Sequence, residues 1–90
     1  MDAAALVDRL DRFGGSDAER RAVARQARDL ADSGAFASDA GYELTPAVVI
    51  EHLVDAPDGG PADRWNWWLG SLEAAHGAYR RFQVERWQER

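Results

Sequence analysis

The chain has 90 residues, is 46% hydrophobic and 30% charged, and carries a formal net charge of −5. Those values describe a globular chain rather than a disordered one, with room for one domain (residues 1–90) and no second independent core. With no cysteine, a disulfide framework and a thiolate metal cage are excluded. The longest apolar runs, such as AAALV and AVVI, fall far short of the ~18–20 residues of a membrane span. The opening MDAAALVDRL places aspartate beside the first methionine and lacks the signal-peptide pattern, so the expected compartment is the cytoplasm.

In chain order, Ala3, Leu6, Val7, Leu10 and Phe13 recur at three- and four-residue spacing and predict an amphipathic helix from Asp2 to Phe13. Gly14-Gly15 ends it. Ser16-Asp17-Ala18-Glu19 then fits a capping box, in which the serine and glutamate side chains satisfy the free amides at the start of their own helix. That second helix is expected from Asp17 to Ser33, with Gly34 in the stop position and an inner stripe of Val23, Ala27, Leu30 and Ala31. So small a stripe implies close approach of a neighbour. The segment GAFASDAGYEL interrupts the helical spacing, and Asp39, Ala40 and Gly41 read as a turn between Phe36 and Tyr42. Residues 35–44 are expected to form a minor hairpin or a loop. Thr45-Pro46 restarts a helix, threonine capping and proline at the first helical position, and Val49, Ile50, Leu53 and Val54 face inward as far as Asp55. APDGGP is a loop, and Pro61 opens a last helix that the spacing carries to Gln88.

That last helix poses a geometric problem. Twenty-eight residues would span ~42 Å, whereas a 90-residue domain is roughly 30 Å across. Trp65, Trp68, Leu69, Leu72, Ala75, His76, Tyr79 and Phe82 form a broad inner stripe. The opposite side carries Trp67, Gly70, Ala74, Gly77 and Ala78. Glycine inside a helix costs about 1 kcal/mol relative to alanine, so a flat strip beside Trp67 suggests close approach of another backbone. The expected contact residues of a homodimer built there are Trp67, Gly70, Ala74 and Gly77, with Trp87 at the overhanging end. A kink at Gly70 or Gly77 is the competing expectation.

Every cation in the chain is arginine and most of the acids are aspartate, with abundant alanine and glycine. In composition and size the chain resembles the small uncharacterised proteins of haloarchaea, whose acidic surfaces stay hydrated in concentrated salt. The resemblance implies a halophilic setting and carries no fold, site or activity with it. A bacterium with a GC-rich genome would give a similar composition.

Three constellations bear on chemistry. Arg21, Arg25 and Arg28 line the outer side of the second helix and could contact phosphates bidentately. Asp17, Asp29 and Asp32 stand four residues away from them, so the same face also reads as solvated ion pairs. Glu73 and His76 reproduce one half of the Glu-x-x-His pattern of di-iron helix bundles, without the second pair that such a centre requires. Ser71 lies about one turn from both along the helix but has no strand-turn elbow, and Gly-Gly occurs twice without the lysine of a phosphate loop.

The sequence therefore predicts a mainly α domain of four helices with a long C-terminal one. It points to a non-enzymatic interaction module, homodimeric through that helix, with no cofactor. The alternative is a nucleic-acid-binding regulator using Arg21, Arg25 and Arg28, and the third reading is a metal-dependent enzyme using Glu73 and His76.

Overall fold

A computed structural model describes residues 1–84. Those residues form five α-helices: α1 (Ala3–Leu10), α2 (Asp17–Ser33), α3 (Ala35–Ala40), α4 (Pro46–Val54) and α5 (Pro61–His76). Two short 3-10 turns, Asp11–Phe13 and Arg80–Phe82, follow α1 and α5. The protein is mainly α, as the sequence predicts, and no strand occurs among the described residues. No described helix is long and apolar enough to cross a membrane.

The helix starts are set by local chemistry. Asp2, Ser16 and Thr45 each present a side-chain oxygen that accepts the N–H three residues on, at 3.1, 3.1 and 3.2 Å. Each satisfies one of the amides that a helix N-terminus leaves without an internal partner. Gly34, at φ +78, closes α2 in the left-handed conformation that favours glycine.

Residues 35–40 correct the hairpin expectation: they are α3. The segment AFASDA is rich in alanine and lacks the alternating β-branched residues that a strand would use. Ser33 supports the restart by accepting the Ala35 N–H at 3.2 Å. Buried Phe36 ties the short helix to the core, and Gly41, at φ +86, ends it.

α2 lies at the centre, packed against α1, α3, α5 and the second 3-10 turn, while α4 packs on α1 and α5. Its buried face is Val23, Ala24, Ala27 and Leu30. The core gathers Leu6 and Leu10 of α1, Val49 and Leu53 of α4, and Trp65, Trp68 and Leu69 of α5 around that small-residue face. At ~25 cal/mol per Å² of apolar surface removed from water, these side chains supply most of the drive to fold.

Glu19 departs from the capping-box expectation. Its carboxylate does not serve its own helix; it is 8% exposed and accepts the Ala62 N–H of α5 at 2.9 Å. Gly15 and Gly60 line this junction. A Cβ at Gly15 would lie 2.7 Å from Glu19 Oε1, and one at Gly60 would lie 3.1 Å from Glu19 Oε2. One glycine of each Gly-Gly pair thus borders the same buried carboxylate, which caps a helix whose own N-cap, Gly60, has no side chain to offer.

Glu19→Ala leaves the Ala62 amide without its partner and should lower unfolding free energy by roughly 1–3 kcal/mol. Glu19→Gln, which keeps an acceptor oxygen, should cost clearly less. Urea denaturation followed by far-UV circular dichroism measures both.

Candidate interaction site

Residues 64–68, Arg-Trp-Asn-Trp-Trp, occupy the first half of α5, and each side chain has a different task. Arg64 turns back toward the end of α4. Its guanidinium donates to the carbonyls of Gly59, Leu53 and Ala56 at 2.6, 3.0 and 3.2 Å and lies 4.7 Å over the Phe13 ring. It thereby ties the last turn of α4 and the loop that follows it to the start of α5.

Trp65 is fully buried, and its indole N–H donates to the Phe82 carbonyl at 2.9 Å. Asn66 grips the next residues through both ends of its amide. Its Nδ2 donates to the Val84 carbonyl at 2.8 Å, and its Oδ1 accepts the Val84 N–H at 2.9 Å. Trp68 is buried edge-on to Trp65 and Phe36, with ring centroids 5.6 and 5.7 Å away. The His52 ring stacks on it at 4.4 Å with planes 9° apart. Trp67 points away from all of this and is 43% exposed.

The bonds from Trp65 and Asn66 to residues 82 and 84 are possible because α5 is not a long rod. It stops at His76, which corrects the expected run to Gln88. Gly77 has φ +77 and Ala78 φ +67, so the chain reverses and lays Tyr79, Phe82 and Val84 back on the core. Ala78 has no glycine excuse for that conformation, which costs an ordinary residue roughly 1–2 kcal/mol. Glu73 stabilises the bend: its carboxylate accepts the N–H groups of Ala78, Tyr79 and Arg80 at 3.2, 2.8 and 2.8 Å. These bonds, led by the one from Tyr79, hold its carboxyl below the ordinary glutamate value. Tyr79 is anchored in turn by its hydroxyl, which donates to Asp39 at 2.7 Å; burial and that carboxylate push its pKa up.

The bend revises the expected inner and outer stripes. Ala75 and His76, assigned inward by the wheel, are exposed. Gly77 is explained by its backbone angle and lies beyond the helix, so it leaves the proposed flat strip. What remains of that strip is Trp67, Gly70 and Ala74, all exposed, and a Cβ at Gly70 would meet nothing within 4 Å. Trp87 lies outside the described residues.

The other candidates separate in the same way. The Glu73 carboxylate is taken up by backbone amides, and no group of three potential metal-ligating side chains occurs among the described residues. The Ser71 hydroxyl faces the Trp67 carbonyl of its own helix at 3.4 Å. Arg21 pairs with Asp17 at 3.1 Å, whereas the expected Arg25–Asp29 and Arg28–Asp32 pairs do not form among the described residues. All three arginines border an open trough of about 420 Å³ between α1 and α2, floored by Ala3, Val7 and Ala24.

The architecture is thus a small all-α domain whose fifth helix carries a tryptophan-asparagine clamp for the following chain. The model of the WNWW domain family matches residues 1–73, and the chain belongs to that family. Its four-letter name is spelled by Trp65-Asn66-Trp67-Trp68. No curated protein and no solved structure matches this chain.

Because Glu73 titrates lower in the docked bend than as a free side chain, its contribution is present above the ordinary value of 4.5 and lost as pH falls through the lowered one. The indole N–H resonance of Trp65, bonded to the Phe82 carbonyl, should hold its position at neutral pH and shift on acidification. Glu73→Gln should flatten that response; an unchanged pH profile would mean that Glu73 does not hold the bend.

Proposed function

We propose that this protein is a non-enzymatic interaction module and that its contact surface is the outer flank of α5, centred on Trp67, with a second copy of the chain as partner. One observation carries this reading. Within the tetrad that spells the family's name, Trp65, Asn66 and Trp68 are accounted for by bonds and packing inside the chain, and Trp67 is not. A large aromatic side chain beside Gly70 and Ala74 offers a raised apolar surface next to a flat one. Tryptophan commonly dominates the energetics of an interface when it becomes buried there, and twofold dimers are the commonest assemblies. The shortness of α5 removes one support, the need to cover an overhanging rod, and the proposal stands on the flank alone. The acidic, lysine-free composition supports a cytoplasmic role in a halophilic archaeon.

Trp67→Ala and, separately, Gly70→Leu, kept folded throughout and never refolded at high concentration, should give chains of monomer mass under conditions where the wild type is dimeric. Light scattering across protein and salt concentration reads the result. Unchanged mass for both variants, or a wild type that is monomeric throughout, rejects the dimer.

A second reading is favoured by the trough beside Arg21, Arg25 and Arg28, where two of the arginines lack their expected local carboxylates. A nucleic-acid backbone laid along it would meet guanidinium groups at helical spacing. No aromatic ring lines the trough for base stacking, so binding there would be sensitive to salt and indifferent to sequence. The double variant Arg21→Ala with Arg25→Ala should abolish any shift of labelled DNA that falls with rising salt. Absence of a shift for the wild type at low salt disposes of this reading.

A further inference from the structure

Three polar groups of the clamp, the Trp65 indole N–H and both ends of the Asn66 amide, bond only to main-chain atoms of Phe82 and Val84. The docked segment adds Tyr79, Phe82 and Val84 to the core, at 1%, 6% and 8% exposure. It is joined to α5 by Gly77 and Ala78, both at positive φ. Nothing in this seat requires that its occupant come from the same chain.

The same residues also obey helical spacing. Continued past Gly77, α5 would place Tyr79 and Phe82 on the stripe of Trp65, Trp68, Leu69 and Leu72. The N–H groups of Ala78, Tyr79 and Arg80, now held by Glu73, would then find the carbonyls of Ala74, Ala75 and His76 in ordinary helical register. Ala78 would leave its strained conformation. Straightening therefore conserves the backbone hydrogen bonds and relieves one bad dihedral angle. It leaves Tyr79, Phe82 and Val84 without cover, beyond reach of the core from which α5 starts.

We propose that Gly77 and Ala78 form a hinge through which two copies of this chain exchange residues 79–84, so that Tyr79, Phe82 and Val84 of one copy fill the seat beside Trp65 and Asn66 of the other. Each core is then completed by the second copy with the contacts that it makes in the closed monomer. Exchange of an identical element is a low-cost route to a dimer when the hinge has two acceptable conformations. The exchange does not rest on the Trp67 flank and can be measured without it.

The experiment uses the full chain with Trp67→Ala, so that the outer flank does not contribute, alone and combined with Gly77→Ala or Ala78→Gly. Each protein is refolded at high concentration, diluted and followed by light scattering. Gly77→Ala penalises the closed bend and favours continued helix; Ala78→Gly relieves the bend and penalises the helix. Dimer fractions should therefore fall in the order Gly77→Ala, parent, Ala78→Gly; each exchanged dimer opens two hinges, so a change of about tenfold per hinge gives steps of about a hundredfold in the dimerisation constant. The dimer should outlast dilution, since separation requires both seats to empty. Equal fractions in the three proteins, or a dimer that dissociates at once on dilution, overturn the proposal. If Gly77→Ala does not fold, the parent and Ala78→Gly decide alone: a parent that yields no more dimer than Ala78→Gly refutes the exchange.

Discussion

The bond between Glu19 and the first turn of α5 sets the course of the C-terminal third of the chain. A helix is stiff, so holding its N-terminus against α2 sets the direction of the remaining turns. The 16 residues of α5 extend ~24 Å from that point. The carboxylate is buried between Gly15 and Gly60 because those residues leave room for it. It meets three demands at once: it offsets the positive end of the α5 dipole, satisfies the Ala62 amide and brings two loops together. With the axis fixed, the rotation of the helix comes from its apolar stripe. Trp65 and Trp68 point into the core, and Trp67 is carried to the other side.

The tetrad then divides its labour by chemistry as well as by direction. A buried indole N–H without a partner would cost 1–3 kcal/mol or so, and Trp65 avoids this by donating to the Phe82 carbonyl. Asn66 does the same for both main-chain groups of Val84. Clamp and tail therefore depend on each other: the tail satisfies a tryptophan that packing needs, and the clamp orders a segment with little regular structure of its own. The family match ends at residue 73, before the gripped residues begin. The clamp lies inside the matched region, and its present occupant lies outside it.

How much of this the sequence disclosed depended on whether each signal was local. Helix α2 was legible at both ends, since Ser16 and Gly34 act within one turn of themselves. Thr45-Pro46 announced α4 for the same reason. The outward turn of Trp67 came from wheel position alone. Glu19 was misread because a capping-box glutamate and one that caps a distant helix have the same local sequence; the difference lies 43 residues away at Ala62. The C-terminal end of α5 was misread because Tyr79 and Phe82 keep helical spacing while being buried by a reversal of the chain. The decisive group there is the Glu73 side chain, which captures amides that a continuing helix would have used. Asn66 gave no signal because its partners are backbone atoms, which have no letter in the sequence. α3 was missed because six residues are too few to show a period.

Salt discriminates between the two surfaces this fold leaves open. In the saline setting proposed for this chain, the Debye length contracts to about 3 Å at 1 M. An arginine-lined trough then loses most of its pull on a polyanion, since each phosphate contact depends on the release of counterions into dilute solution. Burial of Trp67 against a flat apolar strip suffers no such loss, and salts that are excluded from protein surfaces strengthen it. The acidic remainder of the surface would repel a second copy at low ionic strength and cease to do so at high. If both proposed contacts exist, concentrated salt would weaken the one at the arginine-lined trough and strengthen the one at Trp67.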